Sequence, residues 1–193
     1  MRIIAGQKKG MKLLSPKTDV SRPITDRIKE SLFNVLYNYD MPAGKTAADL
    51  FCGVGSLGLE ALSRGAEFVA FVERDKKVVD VLKKNIAKAG FERQSKVIID
   101  DAFRIIAAGG LPPGRQYNLV FVDPPYENTK DAGSEGPLGL LLETLHQCLR
   151  RPGLVVVRTA KTTELLDKYG QLQIIDRRVW GTMAISLLSQ ARQ

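Results

Sequence analysis

The four residues Asp123-Pro124-Pro125-Tyr126 carry the clearest chemical signal in the sequence. They follow residues 118–122, an apolar run that predicts a β-strand, so we expect them at the carboxyl edge of a sheet, where open α/β folds bind their ligands. The prolines fix φ and stiffen the turn. The Asp123 carboxylate and the Pro124 carbonyl are therefore predicted to form a fixed pair of acceptors that suits an amino group. A rigid surface turn is the alternative.

An exocyclic amine on a nucleobase is a poor nucleophile because its lone pair is delocalised into the ring. Two acceptors on its hydrogens would favour pyramidalisation and aim the lone pair at an electrophilic methyl group, and Asp123 would stabilise the positive charge that develops on nitrogen. Tyr126 offers a flat face on which a base can stack, typically worth about 1–3 kcal/mol. The motif therefore predicts methyl transfer to a base amine without a dedicated general base.

A glycine loop, Gly53-Val54-Gly55-Ser56-Leu57-Gly58, follows a predicted strand and opens a predicted helix. Glu73 lies twenty residues after Gly53, at the end of the next predicted strand, where a carboxylate can accept two hydrogen bonds from ribose hydroxyls. Asp49, just before the loop, would repel a pyrophosphate but suits a positive ammonium or sulfonium. S-adenosylmethionine (SAM) has both and no phosphate, so the pattern favours SAM over NAD. A strand-to-helix turn without a ligand is the alternative.

Asp101 and Ala102 follow the third predicted strand. The Asp101 carboxylate can accept a hydrogen bond from an adenine amine, and small Ala102 leaves room for the ring. A helix N-cap has the same sequence pattern, so both roles remain open.

From residue 46 onward, short apolar runs alternate with segments of helical periodicity. Continuous apolar strands that alternate with helices indicate a parallel sheet covered on both faces, and the last two strands indicate an antiparallel hairpin. The predicted fold is a doubly wound α/β domain over residues 46–193. Strands are predicted at 47–51, 68–73, 97–99, 118–123, 154–158, 172–179 and 182–188, and helices at 56–64, 76–89, 103–107, 138–148 and 163–168.

Residues 1–45 are predicted to form a small extension of this domain. Residues 2–5 and 11–14 are apolar stretches around a basic, Gly-flanked loop, which predicts a β-hairpin. Apolar residues at helical spacing predict a helix over residues 26–37, with Thr25 or Asp26 as its N-cap. Residues 41–45 form the linker.

The 193 residues carry 29 Lys and Arg against 21 Asp and Glu, a net charge of +8. The surplus lies at the ends, with +5 over residues 1–45, −2 over 46–149 and +5 over 150–193. Basic surface beside a less basic pocket is typical of a nucleic-acid partner, although a solvated surface would also account for part of it.

Cys52 and Cys148 are the two cysteines, too few for a disulfide scaffold, and the stretch His146-Gln147-Cys148 lacks the four ligands of structural zinc. The sequence shows neither an apolar run of membrane-spanning length nor a signal-peptide pattern. We therefore expect a cytoplasmic protein without a metal and without a membrane partner.

Several motifs together resemble the bacterial RsmD family, SAM-dependent methyltransferases that act on a guanine N2 of 16S ribosomal RNA. The resemblance spans nearly the whole chain and implies a Rossmann-like methyltransferase sheet. Small departures from the family pattern are Ile24, Cys52 and Val54. The motifs that carry the resemblance are Arg2-Ile3-Ile4-Ala5-Gly6, residues 22–34 (RPITDRIKESLFN), residues 49–66 (DLFCGVGSLGLEALSRGA) and Asp123-Pro124-Pro125-Tyr126.

The resemblance implies a role for each matching position. The target base would be held by Asp123, Pro124, Pro125 and Tyr126. The extension would contact RNA, with ribosomal RNA or the small subunit as partner, and the protein is expected to be a monomer. SAM would be bound by Asp49, Phe51, Gly53, Gly55, Glu73, Arg74, Asp101 and Ala102, and RNA phosphates by Arg2, Lys8, Lys9, Lys12, Arg22 and Arg27.

Three alternatives remain at this point. An adenine-N6 DNA methyltransferase would use the same acceptor pair, although the chain has no room for a separate target-recognition domain. A non-catalytic RNA-binding module would fail to bind SAM. An NAD-dependent enzyme is disfavoured by Asp49.

Overall fold

A computed structural model describes residues 1–15, 24–108, 111 and 116–190. The chain divides into two compact units, Met1–Asp100 and Asp101–Gln193. Arg22, one of the predicted RNA contacts, lies outside the described residues.

The first unit is built on three parallel strands. In chain order its elements are helix α1 (Asp26–Tyr37), strand β1 (Thr46–Leu50), helix α2 (Ser56–Ser63), strand β2 (Phe68–Glu73), helix α3 (Lys76–Ala89), a 3₁₀ turn (Glu92–Gln94) and strand β3 (Ser95–Ile99). Strand β1 pairs with β2, and β2 pairs with β3. Residues of β1 and β2 are buried almost throughout, as continuous apolar runs in a parallel sheet require.

The second unit joins a parallel pair of strands to an antiparallel set. Its elements are helix α4 (Ala102–Ala107), strand β4 (Tyr117–Val122), a 3₁₀ turn (Tyr126–Thr129), helix α5 (Pro137–Leu145), and strands β5 (Leu149–Ala160), β6 (Lys168–Tyr169), β7 (Leu172–Trp180) and β8 (Met183–Gln190). Strand β4 runs parallel to β5, while β5, β8, β7 and β6 pair antiparallel in that order. The predicted α/β class, with a mostly parallel sheet and antiparallel C-terminal strands, is confirmed.

The N-terminal segment doubles back as predicted, but with few paired residues. Ile3 N donates to Met11 O at 2.9 Å, Gly10 N donates to Ile3 O at 2.8 Å, and a single bridge pairs Arg2 with Lys12. Gly6 allows this turn to lie against α2, because a Cβ there would come within 1.8 Å of the Ser63 carbonyl oxygen. Residues 2–14 are therefore a short hairpin docked on α2.

A buried ion pair fastens this hairpin and α1 to α2. Lys29 Nζ lies 3.5 Å from Glu60 Oε2, and their side chains are 1% and 0% exposed. Lys29 Nζ also donates to Arg2 O at 2.7 Å, while Glu60 accepts hydrogen bonds from the backbone amides of Ile4 and Ala5. Arg64 Nε adds a hydrogen bond to Glu60 Oε1 at 2.7 Å.

One predicted helix is too long and another is absent. The helix predicted over 138–148 ends at Leu145, and Cys148 Sγ, three residues later, donates to Leu145 O at 3.3 Å. Residues 163–168 are not helical: Thr163 is buried, and the chain then enters β6. Lys168, the last residue of this segment, pairs with Gln173 of β7, so the local apolar spacing did not decide the structure.

No helix in the described part of the chain is long and apolar enough to span a membrane.

Candidate active site

The glycine loop adopts backbone conformations that favour glycine. Gly53 has a φ of +54° and Gly55 a φ of +88°, both in the left-handed region. Gly55 N donates to Cys52 O at 2.9 Å, which closes the turn before α2 begins. A Cβ at Gly58 would lie 2.3 Å from Phe71, so this third glycine allows α2 to pack closely on β2.

Asp49 of strand β1 is hydrogen-bonded to helix α2, which follows the glycine loop. Its side chain is buried, and Oδ2 accepts a hydrogen bond from Gly58 N at 2.8 Å. The carboxylate thus stabilises the first turn of α2, where backbone amides lack helical partners.

Glu73, at the end of β2, is connected directly to the glycine loop. Its Oε2 accepts a hydrogen bond from Gly53 N at 3.1 Å, and its Oε1 accepts one from Asp75 N at 2.9 Å. These bonds fix the carboxylate beside the loop while its side chain remains partly exposed. This placement fits the predicted contact to ribose hydroxyls.

Phe51 and Arg74 are the other residues of the first unit that the sequence predicts to bind SAM. Phe51 has a φ of +60°, unusual for a residue with a side chain, and Arg74 is exposed. Between them in the chain lies buried Cys52. Burial, followed by the nearby carboxylates of Asp49 and Glu73, raises the pKa of its thiol well above the usual value, so the sulfur stays protonated at neutral pH.

Asp101 is the N-cap of α4. Its Oδ1 accepts a hydrogen bond from Phe103 N at 2.9 Å, and Ala102 is buried. Of the two roles left open by the sequence, the cap is present in the structure. The proposed contact to adenine would use the remaining lone pairs of the same carboxylate.

In the second unit, Asp123 forms an ion pair with Arg158. Val122 of β4 pairs with Val157 of β5, so Asp123 and Arg158 are the next residues on the two parallel strands. Arg158 Nε donates to Asp123 Oδ1 at 2.5 Å, and the side chains of Arg158 and Asp123 are 13% and 17% exposed. Burial raises the pKa of the Asp123 carboxyl above its usual range, and Arg158 opposes that rise.

Hydrogen bonds hold the turn after Asp123 in place. Asn128 N donates to Pro125 O at 2.9 Å, and Thr129 Oγ1 donates to Tyr126 O at 2.9 Å. Buried Thr163, from the loop after β5, lies with its Oγ1 3.4 Å from Thr129 Oγ1. Pro124 is buried and Tyr126 partly exposed, so the tyrosine ring borders the surface.

The residues of the first unit that are predicted to contact RNA differ in their side-chain contacts. Lys9, Lys12 and Arg27 are exposed, whereas Arg2 pairs with Asp26 at 2.7 Å. Lys8 Nζ lies 5.9 Å from the centre of the Phe91 ring, a cation–π contact.

The sequence analysis missed Arg158 and the pair of Lys29 and Glu60. A signal for Arg158 was present, because a single charge ends the apolar run 154–157 at the carboxyl edge of its strand. In the described residues, no group of three or more His, Cys, Asp or Glu side chains is placed to hold a metal ion.

The fold, the glycine loop with its acidic neighbour and the proline-stiffened turn define a methyltransferase of the Rossmann-like α/β class. The chain belongs to the RsmD family: the family model described as "Conserved hypothetical protein 95" matches residues 1–189. The predicted family and enzyme class are thereby confirmed.

Individual relatives cover most of the chain. Ribosomal RNA small subunit methyltransferase D of Haemophilus influenzae is 38% identical over 168 residues, 86% of this chain and 82% of that protein. YlbH of Bacillus subtilis is 35% identical over 188 residues, 97% of each chain. The solved structure of yhhF from Escherichia coli has a TM-score of 0.81 at 31% identity and covers 100% of this chain and 99% of its own.

Proposed function

We propose that this protein transfers a methyl group from SAM to the exocyclic N2 amine of a guanine in 16S ribosomal RNA of the small subunit. The observation that carries the proposal is the turn at Asp123 to Tyr126, in which a partly buried carboxylate is held by Arg158 next to a partly exposed aromatic ring. The relative from Haemophilus influenzae, named for small-subunit ribosomal RNA, supports the choice of substrate. Given that substrate, we place the protein in the cytoplasm, acting as a monomer.

SAM is proposed to be bound by the glycine loop together with Asp49, Glu73 and Asp101. Glu73, fixed beside the loop by Gly53 N, would accept the ribose hydroxyls. Asp49 would contribute negative charge toward the methionine ammonium, and Asp101 would accept from the adenine amine. The left-handed glycines at 53 and 55 let the backbone approach the cofactor closely.

The reaction is a single in-line displacement. The guanine nitrogen forms a bond to the methyl carbon while the carbon–sulfur bond breaks, and the sulfur keeps the electron pair as S-adenosylhomocysteine leaves. The Asp123 carboxylate and the Pro124 carbonyl accept the amine hydrogens and stabilise the positive charge developing on nitrogen. The alkylated amine then loses a proton to solvent. Tyr126 would stack on the base, which must be unpaired or flipped out to reach the turn.

The decisive experiment compares methyl transfer from radiolabelled SAM to purified small subunits, free 16S ribosomal RNA and duplex DNA, with nucleoside analysis of the products. We expect N2-methylguanosine from one or both ribosomal substrates. N6-methyladenine in the DNA sample would keep the chemistry and replace the substrate. No transfer together with no SAM binding would reduce the protein to an RNA-binding module.

Replacing Glu73 by Ala should weaken SAM binding. Loss of hydrogen bonds to a charged acceptor costs about 1.5–3 kcal/mol, which corresponds to an increase in Kd of about 10- to 100-fold. Isothermal titration with SAM measures this change. Glu67→Ala, an exposed glutamate just before β2, is the matched control and should bind SAM normally. An unchanged Kd for Glu73→Ala would remove this residue from the cofactor site.

The extension over residues 1–45 is proposed to contact RNA through its exposed lysines. The double variant Lys9→Gln, Lys12→Gln should bind 16S ribosomal RNA more weakly, and the slope of log Kd against log salt should fall by about 0.7–0.9 for each phosphate that the protein no longer neutralises. Filter binding at several salt concentrations measures the slope. Lys168→Gln, exposed on β6, is the control. An unchanged slope would move the RNA surface away from the hairpin.

A further inference from the structure

Asp123 must remain an anion in a place that disfavours anions. Its side chain is 17% exposed, and burial raises the pKa of the carboxyl. A protonated carboxyl would present a donor to the incoming amine at one oxygen and a weaker acceptor at the other. The amine would then lose the partner that stabilises its developing charge.

Arg158 supplies the counter-charge through a hydrogen bond from its Nε. Its Nε donates to Asp123 Oδ1, and the arginine side chain is only 13% exposed. Guanidinium remains charged at any physiological pH, so this contact persists wherever the enzyme works. An ionised carboxylate has about four lone-pair sites, so the hydrogen bond from Nε is compatible with acceptance from the amine.

The fold sets this contact by strand register. Val122 and Val157 are the last paired residues of the parallel strands β4 and β5. Each apolar run ends with the following residue, which is Asp123 after β4 and Arg158 in β5. Arg158 itself lies opposite Ile185 of β8, so β5 is paired on its other side as well. A buried strand with neighbours on both sides cannot slip without moving its apolar side chains, so Arg158 is held beside Asp123.

We propose that Arg158 is a positioning residue of methyl transfer, which holds the Asp123 carboxylate ionised and fixes the direction of its oxygens toward the target amine. This inference rests on the proposed function and deepens it. Among the described residues of the second unit, Arg158 from β5 is the charged group that acts on Asp123, and the titratable groups on the turn that follows Asp123 are Tyr126 and the exposed Glu127.

The test is the pH dependence of kcat in Arg158→Gln. An adjacent arginine lowers the pKa of a carboxyl group by about 1–3. Its removal should therefore shift the acid limb of the kcat profile toward higher pH by about 1–3 pH units. Below the shifted limb kcat should fall about 10-fold for each pH unit, and it should recover toward the wild-type value at alkaline pH. The Kd for SAM should not change.

Two further variants separate positioning from structural support. Arg158→Lys keeps the charge but loses the planar fork, so its acid limb should stay at the wild-type position while kcat falls modestly. Arg150→Gln removes an exposed arginine from the opposite end of β5 and should leave the profile unchanged. Thermal unfolding of each variant shows whether the fold is retained.

Each result has a distinct meaning. A wild-type protein that methylates no RNA would overturn the proposed function itself. An active wild type with an Arg158→Gln profile of unchanged shape, lowered equally at every pH, would overturn the positioning role. A raised KM for RNA with an unaltered acid limb would assign Arg158 to substrate binding instead.

Discussion

Asp123→Ala should lower kcat by about 10²- to 10³-fold, the effect of removing one electrostatic contact to the charge of a transition state. The substitution deletes an acceptor of the amine hydrogens and the negative charge that stabilises the nitrogen as it is alkylated. SAM binding should persist, because Asp123 is not among the residues assigned to the cofactor and Glu73 is fixed beside the glycine loop by Gly53 N. Single-turnover methylation of 16S ribosomal RNA, with SAM titrated separately, measures both quantities.

Asp123→Asn separates the effect of the acceptor oxygen from the effect of the negative charge. The amide keeps an acceptor oxygen but lacks the charge, so its rate should lie between those of the wild type and Asp123→Ala. Asp167→Ala, an exposed aspartate in the same unit, is the matched control and should be fully active. If Asp123→Ala retained wild-type turnover, another residue would have to hold the target amine.

Glu60→Gln should strongly destabilise the first unit. It leaves the buried Lys29 ammonium without its carboxylate, and breaking a buried ion pair costs about 3–5 kcal/mol. For a domain of this size that corresponds to a fall in Tm of about 6–20 °C. Calorimetry or thermal circular dichroism measures the shift. The hairpin also depends on Glu60, because the amides of Ile4 and Ala5 donate to it.

A double-mutant cycle distinguishes the ion pair from simple packing. Lys29→Met combined with Glu60→Gln removes both charges, so its destabilisation should be smaller than the sum of the two single changes. Glu30→Gln, on the exposed side of α1 next to Lys29, should hardly alter Tm. Strictly additive effects of the two single changes would show that the pair is not energetically coupled.

The local sequence predicted most elements because periodicity and caps are local properties. Helix α1 spans Asp26–Tyr37 as predicted, with the Thr25 hydroxyl accepting from Ile28 N. The alternation of apolar runs and helices likewise predicted the α/β class. The helix predicted over 163–168 failed because the buried side chain of Thr163 and the pairing of Lys168 with Gln173 outweighed local spacing.

Individual carboxylates were harder to interpret, since several serve the fold as well as the proposed chemistry. Asp49 binds Gly58 N, and Asp101 caps α4. Both contacts arise only when a strand end meets the start of a helix. The assignments of these residues to SAM, and of Asp123 to the amine, stay predictions that the variants above test.

By itself, the sequence determined most of the strands and helices, the glycines that a left-handed turn requires and the proline-stiffened turn after β4, because each depends on neighbouring residues. The tertiary structure decided which charges meet. Arg158 is 35 residues from Asp123, and Glu60 is 56 residues from Ile4. Such pairs depend on strand register and helix docking, and these are fixed by burial of apolar faces over the whole unit rather than by any local pattern.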